Sequence, residues 1–115
     1  METNSKSTTA SPEEVARFTA MAETWWDANG KFRPLHQITP VRIDYIRDFV
    51  CAHFYRDPME KEPFKGLELI DIGCGGGLLC EPMARLGANV SGIDAGDKNI
   101  AIASLHAQQG DLDIN

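Results

Sequence analysis

The chain has 115 residues, room for one small domain and no more. Hydrophobic residues at 43% and charged residues at 24% match a globular composition and suggest neither disorder nor a fibrous repeat. With 11 Lys and Arg against 17 Asp and Glu, the net charge of −6 argues against a nucleic-acid or anionic-membrane surface built from charge. No apolar run approaches the roughly 18 residues that span a bilayer. The first ten residues lack both the apolar core of a secretion signal and the arginines of a mitochondrial presequence, so the chain reads as cytoplasmic.

In chain order, residues 1–10 are polar and Ser/Thr-rich, which predicts a disordered tail. Ser11, Pro12 and Glu14 then supply an N-cap, a first-turn proline and a capping-box carboxylate. Val15, Phe18, Met21, Ala22 and Trp25 follow at helical spacing, so a helix runs to about Trp26 and stops at Asp27–Gly30. Lys31–His36 reads as an ordered loop. A second helix is expected from near Pro40, carrying Ile43, Ile46, Phe49, Val50 and Phe54. The charged stretch Arg56–Gly66, with two prolines, separates this helical segment (residues 11–65) from a different pattern over 66–115.

There Leu67–Ile72 reads as a strand running into a glycine loop, Gly73–Gly77. A helix is expected over about Leu78–Leu86, closed by Gly87. Ala88–Ile93 reads as a second strand, and a last helix begins near Asp97 as N-cap and ends at Gly110. Leu112–Ile114 would open a third strand. The order β-α-β-α, with crossovers of parallel-strand length, predicts an α/β sheet.

Three cysteines, Cys51, Cys74 and Cys80, form no CxxC pair, which disfavours a zinc site or a disulfide framework. Cys51 and Cys80 read as small buried apolar residues on helices; Cys74 sits inside the glycine loop, with a reactive thiol as the rival reading.

The motif that carries chemistry is Asp71-x-Gly73-x-Gly75-x-Gly77, between a strand and a helix. Glycines there permit unusual backbone angles and let a ligand lie against the main chain at a helix N-terminus. Asp94, at the tip of the next strand, can accept hydrogen bonds from both hydroxyls of a ribose, or merely cap the following helix. The phosphate loop GxxxxGK(S/T) is absent, and the dinucleotide fingerprint GxGxxG finds Leu78 where its last glycine belongs. The alternating DxGxGxG pattern resembles that of methyltransferases that bind S-adenosylmethionine. A ligand-free tight turn is the bland alternative.

Trp25-Trp26-Asp27, Phe32-Arg33-Pro34-Leu35-His36 and Ile38-Thr39-Pro40-Val41-Arg42 resemble the N-terminal signature of bacterial ubiquinone biosynthesis O-methyltransferases. Leu69–Leu79, Met83–Ala88 and Leu105–Ala107 extend the resemblance, which covers about Val15 to Asn115. It implies the N-terminal part of a Rossmann-like class I methyltransferase fold, preceded by a helical lid segment. It also implies methylation of ring hydroxyls on polyprenylated phenol or catechol intermediates, with S-adenosyl-L-methionine as cofactor. By the same resemblance Arg42 pairs with the methionine carboxylate, Gly73 approaches the amino-acid part through its backbone, and Asp94 holds the ribose. Trp25 and Trp26 read as packing more readily than as substrate stacking. His36 is a loop residue or part of a lid, His106 a surface residue, and His53 carries no signal.

No catalytic base is identified in these residues, and no metal ligands. The resemblance places acidic and histidine residues able to bind a divalent metal beyond Asn115. The resembling proteins are more than twice as long, so the 115-residue chain is expected to be marginally folded and inactive by itself. Expected partners are the greasy substrate, the membrane surface it brings near, or a ubiquinone-biosynthesis complex; no nucleic acid is expected. The rivals are another small-molecule methyltransferase and a non-catalytic module binding nucleotide or protein at an exposed sheet edge.

Overall fold

The computed structural model describes residues 11–114, and the tail expected over 1–10 lies outside them. Helix α1, Pro12–Trp26, starts as its sequence dictates. The Glu14 amide donates to Ser11 Oγ at 3.1 Å, satisfying one of the first-turn N–H groups that a helix leaves unpaired. Past its end, Asp27 Oδ1 accepts from the Asn29 amide at 3.0 Å, a local bond that competes with further helix.

Helix α2 departs from expectation. It spans Arg33–His53, so Lys31–His36 is not a loop and Pro40 lies inside the helix rather than at its start. Pro34 occupies the first turn, where a missing N–H costs nothing. At Pro40 one intrahelical bond is lost on an exposed face, and the Thr39 hydroxyl donates back to the Leu35 carbonyl at 2.6 Å. Ile43, Ile46 and Val50 pack against the core, with Cys51 buried beside them. Phe49 and Phe54, expected on that stripe, stand exposed: Phe49 lies on a second stripe with Ile38, Val41 and Tyr45, and Phe54 is the residue capping the helix end.

The link from Arg56 is pinned from both sides. Arg56 donates to the Pro63 and Lys65 carbonyls, and the buried Phe64 gives its amide to Leu86 at 2.8 Å. Strands β1, Glu68–Ile72, and β2, Asn89–Ile93, pair in parallel, from Glu68 opposite Asn89 to Ile72 opposite Ile93. Between them runs α3, Cys80–Arg85, and after them α4, Asp97–Gln109. This is the expected β-α-β-α order. Gly87, at φ +103°, closes α3 in the left-handed conformation that favours glycine.

Two further expectations fail. Gly96, not Asp97, is the N-cap of α4, because the Gly96 carbonyl accepts the first helical bond, from the Ile100 amide at 3.2 Å. No third strand forms among the described residues: the Leu112 amide turns back to the Ala107 carbonyl at 2.9 Å, and Ile114 tucks into the core. Phe64, Met83, Val90, Cys51 and Cys80 form the centre of that core. Ile70 and Ile72 point out from β1 and remain exposed, although parallel strands ordinarily bury both faces.

Candidate functional site

The parallel register ends β1 and β2 level, so the loop after Ile72 and the turn after Ile93 lie side by side. The Gly73 and Cys74 amides both donate to the Ile93 carbonyl, at 2.6 and 3.0 Å, which ties the glycine loop to the end of the neighbouring strand. Gly73 has φ +77° and open space where a side chain would project. Its backbone is therefore bare. At Gly75 and Gly76 the glycine requirement has another cause. A Cβ there would meet the Trp25 ring at 2.9 and 2.7 Å.

Asp94 is held by three donors. Oδ1 accepts from the Gly75 amide at 3.2 Å, and Oδ2 accepts from the Gly96 amide at 2.9 Å and Asn99 Nδ2 at 3.0 Å. The Asn99 side chain, then the Gly96 and Gly75 amides, all favour the ionised form and hold its carboxyl below the usual carboxylate range. A carboxylate has about four acceptor positions, so these three donors leave one on Oδ1 untaken.

Arg42, Asp71, Gly73, Leu35 and Trp25 line one cleft of about 150 Å³. Arg42 reaches it from α2, is exposed, and enters no ion pair among the described residues. Arg42 and Gly73 thus share the cleft. Asp94 is not among its lining residues and meets it through the bond to Gly75.

The two tryptophans at the end of α1 both rest on the glycine loop. Trp25 stacks on Phe32 with ring centroids 3.9 Å apart, and Trp26 donates its indole N–H to the Gly76 carbonyl at 3.1 Å. His36 lies on α2, with Nε2 2.8 Å from the Trp25 carbonyl, and does not line the cleft. His106 is not a surface residue. It is half-buried, stacked on Trp26 at 3.9 Å, with Nδ1 2.5 Å from the carboxylate of Glu81. Glu81, buried in the first turn of α3, went unnoticed in the sequence because its partner stands on a different helix and no spacing relates the two.

The cysteines are buried. Burial pushes all three thiols up, and the Asp71 carboxylate pushes Cys74 and Cys80 further. Cys80 Sγ donates to Asp71 Oδ2 at 3.4 Å. Protonated, enclosed thiols are poor nucleophiles. Iodoacetamide at neutral pH is therefore expected to label the folded chain slowly and the urea-unfolded chain fast. Equal rates would contradict this reading. Among the described residues no group of three or more His, Cys, Asp or Glu side chains is placed to share a metal ion, and no helix is long and apolar enough to cross a membrane.

Comparison with known proteins agrees with this geometry. Residues 42–114, more than half of the chain, match the family model described as a methyltransferase domain. The ubiquinone biosynthesis O-methyltransferase of Paramagnetospirillum magneticum is 60% identical over 107 residues, covering 93% of this chain and 43% of that protein. The protein of the same name from Sinorhizobium medicae is 64% identical over 100 residues, covering 87% of this chain and 40% of the relative. The chain thus spans less than half the length of these relatives. Among solved structures, magnesium protoporphyrin IX methyltransferase from Synechocystis, crystallised with bound SAM, superposes with a TM-score of 0.56 at 23% identity, over 94% of this chain and 49% of that one. That likeness establishes the Rossmann-like class I fold, here its first β-α-β-α portion behind two helices. A glycine loop at the level ends of two parallel strands, in a fold and a sequence shared with these proteins, places the chain in the methyltransferase domain family.

Proposed function

We propose that the chain is the cofactor-binding part of an S-adenosyl-L-methionine-dependent O-methyltransferase. The whole protein would methylate ring hydroxyls of polyprenylated phenols or catechols in ubiquinone biosynthesis. The observation that carries the reading is the pairing, in one cleft, of a bare Gly73 backbone with an Arg42 guanidinium that has no partner among the described residues. A guanidinium binds a carboxylate bidentately, so Arg42 would anchor the amino-acid end of the cofactor. The Gly73 backbone would lie against that end, and Asp94 would accept a ribose hydroxyl at its remaining Oδ1 position. Bound S-adenosylmethionine supplies an electrophilic methyl group on sulfur.

The cleft of about 150 Å³ is roughly half the smallest volume usual for ligand pockets, about 300 Å³. The rest of the adenine pocket and the substrate site are assigned to the part of the relatives that this chain does not span, and the chain alone is expected to be inactive. A phenol, with a pKa of about 10, must be helped to ionise at neutral pH. We assign that help, a base or a divalent metal, to residues outside this chain. The prenyl tail of such a substrate would bring a cytoplasmic enzyme to the membrane surface, alone or within a biosynthetic complex.

Titration calorimetry of the folded chain with S-adenosylhomocysteine tests the cofactor half of the proposal, with NAD as control. Saturable binding of the first and none of the second is the expected result. A chain that prefers NAD, or that is folded by circular dichroism and binds neither, overturns it.

A further inference from the structure

The proposed function leaves Glu81 without a task. It is 1% exposed, yet both of its oxygens are engaged, Oε2 with His106 and Oε1 with Arg85 at 3.3 Å. A buried carboxylate carries a desolvation penalty that only well-placed partners offset, and an apolar residue of similar size often serves stability equally well. A carboxylate can only accept, so the hydrogen lies on His106 Nδ1. That fixes the imidazole plane, which lies parallel to the Trp26 indole, within 3°. The oriented indole then donates to the Gly76 carbonyl. A chain of contacts therefore leads from inside α3, through α4 and α1, to one peptide of the glycine loop.

That peptide matters because the Gly76 carbonyl and the Gly77 amide move together. The Gly77 amide closes the loop turn by donating to the Cys74 carbonyl at 3.0 Å. We propose that Glu81, His106 and Trp26 are positioning residues: a buried relay that fixes the Gly76–Gly77 peptide and so holds the glycine loop in its ligand-ready shape. The relay touches no ligand itself. Its consequence for cofactor affinity rests on the function proposed above, whereas its hold on the loop does not.

Two NMR signals and one affinity test it. Trp26→Phe keeps an aromatic ring against His106 while removing the N–H donor together with the indole's second ring. It is expected to shift the Gly75 and Gly77 amide resonances and to weaken S-adenosylhomocysteine binding by about fivefold, the value of one neutral hydrogen bond. Glu81→Ala is expected to move the Trp26 indole N–H resonance along with the glycine amides. Glu81→Gln, which retains an acceptor for His106 Nδ1, should restore most of both, a recovery that simple loss of packing would not show. Unchanged glycine amides in Trp26→Phe overturn the relay even if Glu81→Ala fails to fold. Amides that shift in a chain that binds no S-adenosylhomocysteine uphold the relay and reject the cofactor reading. Shifted amides with undiminished affinity overturn the relay's role in ligand binding.

Discussion

Asp94→Ala is expected to weaken S-adenosylhomocysteine binding by at least about tenfold, the largest single effect at the site, since a hydrogen bond to a charged group is worth about 1.5–3 kcal/mol. The substitution would remove the acceptor proposed for a ribose hydroxyl. It also strands the Gly75 and Gly96 amides and the Asn99 side chain, so the glycine loop and the first turn of α4 lose their common anchor. Asp94→Asn separates the two effects, keeping one acceptor oxygen but turning a donor toward donors. Calorimetry on both variants decides the matter; affinity equal to that of the parent would remove Asp94 from the site. The pH dependence carries a definite sign. Because the folded carboxyl titrates below its ordinary value, the folded state holds fewer protons on Asp94 than the unfolded state. Its stabilisation is complete above the ordinary carboxylate pKa of about 3.9 and disappears as pH falls through the lower, folded value. Urea denaturation of parent and Asp94→Asn should therefore show a gap at neutral pH that closes in acid. A gap that widens in acid would contradict the assignment.

Gly76→Ala is expected to destabilise the fold by about 1–3 kcal/mol, the usual range for forcing a methyl group into a packed site. The new methyl would lie 2.7 Å from Trp25 Cδ2 and 2.8 Å from Cγ. Those atoms are the root of the indole and cannot swing aside, so the end of α1 must move. In a domain of this size each kcal/mol lowers Tm by roughly 4–8 °C. The cause is checked by repeating the substitution in a Trp25→Ala background, where the penalty should largely vanish; an unchanged penalty would exonerate Trp25. Gly73→Ala offers the contrast. Its methyl meets nothing within 4 Å, so its cost is confined to the strain of φ +77°, while any ligand lying on that backbone would be displaced.

What the sequence made legible is what is local. Ser11 and Pro12 mark the start of α1, Gly87 marks the end of α3, and the switch to short apolar runs after Gly66 marks the strands, because caps and periodicity act within a few residues. The glycine loop and Asp94 were visible for the same reason. Arg42 was not: on physical grounds it is one more helix-face arginine, and only the resemblance singled it out. Pro40 misled because a proline is a fair helix-start signal, and the packing of Ile43, Ile46 and Val50 that outweighs it is tertiary. The contacts of Trp26 with Gly76, and of Glu81 with His106, join residues far apart in the chain. No periodicity encodes them, and so the buried carboxylate went unnoticed and the half-buried histidine was read as a surface residue.

The chain contains two tryptophans, and both rest on the glycine loop, one packed against Gly75 and Gly76 and the other bonded through its indole N–H. Indole emission is therefore an optical channel to that loop and to the Phe32 and His106 rings stacked on the two indoles. A ligand that displaces Trp25 from the glycines will register in colour and intensity without any label.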